Sequence, residues 1–306
     1  MSIASALQTL ANYRSHSARA SQDIVEKGEE VLKANAVVQL GDEAWAFLEQ
    51  LTLAAIDVGR LDIADECLEE LAKTFPDSPR VNVLTGIRME GSESPDTILK
   101  FYNEQLKEET ANPGIWKRKI SLLRRMGKID DCVEELSTYL DTFYNDLEGW
   151  VELADIYASC HQYTSSLQAL SHSLLLAPQN PFYALQFAET AFTANDIPLA
   201  LKMFLVVIDM CERDLSTPIE AKESVPSGVG VRAWYGLKLC CRRALGRSSA
   251  SSSSSLTSQS NTSLPDLKKL QKLDELATER VLTAYSASAR GAEGKAVVMA
   301  WMGSTD

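Results

Sequence analysis

An all-α solenoid of stacked helical hairpins is the fold class this sequence predicts, and three observations predict it. First, Trp150, Leu153, Ala154 and Tyr157 recur at i, i+3, i+4 and i+7, the stripe a helix turns toward its neighbours. Second, the pattern returns when the frame is stepped by 34 residues. Third, the breakers fall where helices must end: Gly59 and Gly127 lie in turns, and Pro76 and Pro178 stop helices because proline lacks the amide hydrogen and clashes with the preceding turn.

The clearest unit is 147–180, whose spacing is that of the tetratricopeptide helix-turn-helix repeat. Its second helix turns Ser166, Leu170 and Ser173 inward, and the small Ala154 permits close helix crossing. One step back, 113–146 places Trp116 opposite Trp150, Leu123 opposite Tyr157 and Leu136 opposite Leu170, while Lys119 and Ile120 replace the usual Leu-Gly pair. Residues 45–78 supply Leu48, Leu51, Ala55, Ala64, Leu68 and Leu71. Residues 79–112 fit more loosely, with Gly86 in the small slot and Tyr102 in the large one. One step forward, 181–214 brings Phe187, Ala188, Ala191, Ala200 and Phe204. Five such units exceed the three needed to bury a continuous core.

Residues 1–44 are read as capping helices, one carrying Ile3, Ala6, Leu7 and Leu10, the next capped by Ser21 and carrying Ile24, Val25, Val31 and Leu32. Leu40, Gly41 and Asp42 break the chain before Trp45. Residues 215–290 are read as a degenerate repeat: a Pro- and Gly-rich connection, a helix with Trp234, Leu237 and Cys241 on one face, and a helix marked by Leu267, Leu270, Leu273, Leu276 and Ala277. Between the two helices, 248–263 is almost wholly Ser, Thr, Asn and Gln, a composition with nothing to bury and therefore expected to be disordered. The tail, 291–306, has an apolar run at 296–302 and is read either as a small docking element or as a frayed end, the second being favoured because termini commonly fray.

With 42 acidic against 30 basic residues the net charge is -12, which disfavours a phosphate-tracking surface and so nucleic acid as a partner. The six cysteines form no CxxC pair, and Cys67 and Cys132 fall at inward slots as small core hydrophobes. Cys160 and His161 are adjacent, and neighbours on a helix point about 100° apart, so a catalytic pair is not expected. Unpaired thiols and no signal peptide fit a reducing, cytosolic setting. The longest apolar runs fall far short of the ~20 residues that cross a bilayer. No phosphate loop, metal-ligand spacing or nucleophile-base pair is present, so no enzyme, cofactor or small-molecule substrate is expected.

The candidate sites are therefore partner-binding positions on the first helices, off the packing stripe: Arg80, Val83 and Ile87, then Lys117, Arg124 and Arg125, then Asp155, and finally Phe182, Leu185 and Glu189. Lys117, Arg118, Lys119, Arg124, Arg125 and Lys128 form a dense basic patch, read either as a solvated helix face or as a contact for anionic lipid or an acidic partner loop. Some tetratricopeptide domains clamp acidic chaperone tails with Lys, Asn and Arg in this groove, and Asp155 and Glu189 do not resemble that clamp.

Particular strings resemble one family, subunit 2 of the endoplasmic reticulum membrane protein complex. They are SQDIVEKGEEVL at 21–32, LGDEAWAFLEQLTLAAIDVGRLDIADECLEELAKTFPDSPRV at 40–81, then Leu84, Gly86, Arg88 and Glu90, the run Arg118, Lys119, Ile120, Gly127, and the helix with Trp150, Glu152, Leu153 and Ala154. The Ser-rich insertion and the sequence after Tyr285 depart from it. The resemblance implies a non-enzymatic scaffold at the cytoplasmic side of the endoplasmic reticulum membrane, bound peripherally to the complex's other subunits and supporting insertion of transmembrane segments, tail-anchored and multi-pass clients included. The alternative is a soluble cochaperone adaptor that takes peptide tails in the groove.

Overall fold

The computed structural model describes residues 2–213, 224–247, 261–286 and 291–303, and among them fifteen α-helices and no strand. The chain is all-α and built of tetratricopeptide-type hairpins, grouped in two compact units, Met1–Tyr139 and Leu140–Asp306.

In the first unit, α1 (Ile3–Ser15) and α2 (Ser21–Lys33) pack on each other and on α3 (Ala44–Val58), with a 3-10 segment, Ala36–Glu43, before α3. Gly41 turns the chain there at φ 54°, ψ −125°, a region closed to side chains. Ser21 does not cap α2 as the sequence suggested: it is the first helical residue, and its hydroxyl donates to Asp57 Oδ2 (2.7 Å) while Arg19 grips the same carboxylate at 2.7 and 2.9 Å. Those bonds tie the α1–α2 link to α3. Then follow α4 (Leu61–Thr74), α5 (Pro79–Met89), α6 (Pro95–Glu108), α7 (Pro113–Arg125) and α8 (Ile129–Thr142). Leu48, Leu51, Ala55, Ala64, Leu68 and Leu71 are all buried in one cluster with Ala6, Leu10 and Val31.

In the second unit, α9 (Leu147–Ser159), α10 (Tyr163–Leu176), α11 (Pro181–Thr193) and α12 (Ile197–Glu212) form two hairpins. The helix α13 (Val229–Arg247) packs on α12 and α14 (Leu267–Ser286), and α15 (Gly291–Gly303) packs on α14. The expectation of a fraying tail is corrected: Trp301 in α15 stacks on Tyr235 with centroids 4.8 Å apart, and Arg242 donates to the Trp301 carbonyl at 3.0 Å. An aromatic anchor and a charged donor outweigh the end's freedom. The Ser-rich 248–260 lies outside the described residues.

The period is kept by the second helices, which start at Leu61, Pro95, Ile129, Tyr163 and Ile197, each 34 residues after the last. Two first helices, α7 and α11, begin after caps that satisfy orphan amides: Asn112 Oδ1 accepts from Gly114 and Ile115 (3.1 and 3.2 Å), and Asn180 Oδ1 from Phe182 (3.0 Å). The prolines at 79, 113 and 181 sit at first-turn positions where no donor is missed. Turns repeat as well. Gly59, Gly127, His161 and Asn195 occupy the same repeat position, all left-handed, with φ of 81°, 74°, 60° and 65°. Cys160 and His161 thus sit in a turn after α9, not on a helix, and the His161 ring meets the Tyr163 hydroxyl at 2.9 Å. The loosely matching second hairpin differs here: α5 is two residues shorter than α7, and Ser94 caps α6 instead of following a left-handed turn.

One cross-link recurs inside two of the hairpins. Cys132 Sγ donates to the Ile120 carbonyl (3.5 Å), and at the same repeat position Ser166 Oγ donates to the Ala154 carbonyl (2.8 Å). Trp150, expected between two helices, is only half-buried: its ring stacks on His172 at 4.2 Å and its N–H donates to the Tyr144 carbonyl at 2.8 Å. The indole seals the edge of the α9–α10 hairpin rather than filling its interior.

Candidate partner-binding surface

Of the sequence-derived positions in the first unit, Arg80 lines an open groove. The groove holds about 700 Å³ between the α1–α2 link, α3 and α5, lined among others by Arg14, Arg19, Glu49, Gln50 and Leu53. Arg80 pairs there with Glu49, and Arg14 donates to Gln50 (3.1 Å) and Glu43 (3.2 Å). Beyond Arg80 lies a smaller depression of about 360 Å³, where Trp45 meets Phe75 edge to face at 5.1 Å. Val83 and Ile87 are half-buried, and Val83 packs into the cluster of Ile98, Tyr102 and Ile115. Val83 thus works as much for α5–α7 packing as for a surface.

The basic patch is divided by its partners. Arg118 pairs with Glu90 through two nitrogens (2.7 and 3.0 Å), and Arg125 approaches the same carboxylate at 3.4 Å. Lys119 is bound to Glu135 at 2.6 Å, which explains a lysine in a slot held by Leu51, Leu153 and Phe187 in three other hairpins. Lys117 lies 5.9 Å from the Tyr139 ring, and Arg124 is exposed. Arg118, Lys119 and Arg125 are thus held in ion pairs, and Arg124 and Lys128 are exposed.

Glu90 is the residue that sequence reasoning did not single out as a site. Its side chain is 9% exposed and also accepts from the Tyr102 hydroxyl at 2.6 Å. Burial and that bond push the Tyr102 phenol well above its ordinary value. At Arg118, burial pulls the guanidinium down, but the Glu90 bond, the Glu90 charge and the contact with Tyr102 together outweigh it, so its pKa rises. A carboxylate with three donors is a fixed point between α5, α6 and α7. Arg88 adds a two-pronged bond to Asp65 of α4 (2.5 and 2.6 Å). The only signal available in sequence was that Arg88, Glu90 and Arg118 belong to the strings carrying the family resemblance.

In the second unit, Asp155 and Glu189 come together in a depression of about 250 Å³ with Tyr163 and Gln186. Glu189 also reaches Arg232 of α13 at 2.6 Å, at the edge of a further depression lined by Phe192, Phe204 and Tyr235. Phe182 is 64% exposed. Leu185 is corrected: at 5% exposure it belongs to the core, because α11 carries apolar residues on more than one side and its phase alone does not choose among them. Among the described residues no group of three or more His, Cys, Asp and Glu is placed to hold a metal ion, and no helix is long and apolar enough to cross a membrane.

Hairpins of constant period with side-chain surfaces on their first helices define a tetratricopeptide-repeat protein. The solved C-terminal part of a TPR repeat-containing protein from Cytophaga hutchinsonii is similar, with a TM-score of 0.57 over 96% of this chain and 99% of that one at 12% identity, which bears on the fold alone. The family profile described as EMC2 TPR-like repeat domain matches residues 89–200. ER membrane protein complex subunit 2-A of Xenopus laevis is 39% identical over 185 residues, 60% of this chain and 62% of that protein. TPR repeat protein oca3 of Schizosaccharomyces pombe is 32% identical over 209 residues, 67% of this chain and 68% of that one. The chain belongs to the family of ER membrane protein complex subunit 2. The matched stretch spans 62% of the length of the Xenopus relatives.

Proposed function

We propose that the chain is a non-enzymatic scaffold subunit of the endoplasmic reticulum membrane protein complex, held peripherally at the cytoplasmic side of the membrane. There it grips the complex's other subunits while the assembly supports insertion of transmembrane segments, including those of tail-anchored and multi-pass proteins. Membership of the family carries this reading. Two features support it. None of the six cysteines is in a disulfide, which suits a reducing compartment. The candidate positions Arg80, Lys117, Arg124, Arg125, Asp155, Phe182 and Glu189 combine charge of both signs with an exposed aromatic, as protein interfaces do, and Asp155 with Glu189 would repel an acidic tail.

The test is fractionation followed by depletion. In this reading the protein stays with membranes through buried apolar contacts, so high salt releases it poorly while alkaline or urea washing releases it. Depletion lowers the partner subunits and the yield of weakly hydrophobic and tail-anchored membrane proteins, and soluble secreted proteins change less. Normal partner levels and normal insertion in depleted cells would refute the scaffold role.

A further inference from the structure

Helix α14 carries a buried apolar stripe and a second stripe of leucine and lysine. Leu270, Ala277 and Val281 are buried, with 4%, 0% and 1% exposure, and between them Asp274 is locked by Lys238 of α13 at 2.7 Å. About a third of a turn round the helix, Lys269, Lys272, Leu273 and Leu276 follow at i, i+3, i+4 and i+7. This second stripe faces an open groove of about 560 Å³. The other wall is α12, through Leu201, Lys202 and Leu205, and Leu264 lines the groove from the stretch before α14.

We propose that this groove docks an amphipathic helix of another protein whose apolar stripe is flanked by carboxylates. The floor is leucine, recessed between two helices, and ridges of a third helix fit such a channel. Leu264 and Leu276 are 43% and 42% exposed, a cost that burial under a partner removes. The rim chooses the partner's charge: Lys202, Lys269 and Lys272 border the leucines, and no carboxylate is among the described residues lining the groove. Asp266 reaches Lys269 only at 4.0 Å, between two exposed side chains. In a chain of net charge -12 this local cationic rim attracts an acidic segment and not a basic one. A recessed channel suits a helix better than the plane of a bilayer.

The inference deepens the scaffold reading, but its test uses the isolated full-length chain, so it can fail while complex membership stands. Two labelled peptides of about 18 residues, with the same leucine stripe and either Glu or Lys flanking it, are titrated with the protein and followed by anisotropy. The Glu-flanked peptide is expected to bind, more weakly as salt rises. The triple variant Lys202→Glu, Lys269→Glu, Lys272→Glu should lose about tenfold in affinity and gain binding of the Lys-flanked peptide, a reversal that a misfolded variant cannot show. Leu264→Gln with Leu276→Gln, both at exposed positions, should abolish binding with an unchanged helical spectrum. Equal binding of the two peptides, or no binding of either, overturns the proposal. So does a triple variant that keeps the Glu-flanked peptide but no longer binds phosphatidylserine vesicles, which would assign the lysines to lipid.

Discussion

Replacing Gly86 with Ala tests the close approach on which the second hairpin depends. A Cβ at Gly86 would collide with Tyr102 Cε1 and lie 2.8 Å from its Oη and 3.0 Å from Cζ, with Tyr102 fully buried. In an open helix the same substitution would stabilise by about 0.5 to 1 kcal/mol, because glycine loses more backbone freedom on folding. Overpacking a fixed ring costs about 1 to 3 kcal/mol. Displacing Tyr102 also strains the 2.6 Å bond to Glu90, a bond to a charged acceptor worth about 1.5 to 3 kcal/mol when lost outright. The clash and the bond together exceed the propensity gain, so the net expectation is a loss of about 2 kcal/mol. Guanidinium unfolding followed by tryptophan fluorescence measures it, and the partner substitution Tyr102→Leu separates the causes by vacating the ring's space. In that background Gly86→Ala should cost nothing or stabilise slightly. An unchanged midpoint for Gly86→Ala alone, or an equal cost in both backgrounds, would refute the argument from ring contact.

Two further outcomes follow from the turns and the thiols. Gly59→Ala should destabilise by about 1 to 2 kcal/mol because φ is 81° there, whereas His161→Gly, in the same slot with φ 60°, should be neutral or stabilising; opposite signs in one denaturation series are the check. Burial raises the thiols of Cys67 and Cys241 to about 12, so at pH 8 about one in ten thousand is thiolate. Iodoacetamide should therefore modify the exposed Cys160 and Cys211 in the folded protein, and Cys67, Cys132, Cys240 and Cys241 only after denaturant, as peptide mass mapping would show.

The repeat frame was legible because a 34-residue period leaves recurring marks: prolines after second helices at 76 and 178, small residues at the crossing, breakers in the turns. The binding surface was less legible, for a physical reason visible at particular residues. Periodicity gives a side chain's phase on its own helix and not what stands opposite. Leu185 and Phe182 both fall in a strongly apolar helix, yet one is buried and the other exposed. Leu270 and Leu276 belong to one run of leucine at every third residue in sequence and to two stripes in space. Arg118 reads as part of a cationic patch until Glu90, 28 residues earlier, is found beside it. The anchoring of α15 had no local signal either, since Trp301 gains its meaning from Tyr235 and Arg242 on another helix.

The carboxylate of Glu90 also bears on how this sequence can change over generations. Tyr102, Arg118 and Arg125 all address it, so the fate of the acid is tied to all three donors. Loss of the acid strands a buried hydroxyl and a guanidinium at once, whereas loss of one donor leaves two others to hold the acid. The damage is asymmetric. Lineages should therefore shed the peripheral arginine first and the acid last, and an apolar replacement at 90 should be found only where 102 and 118 have already become apolar.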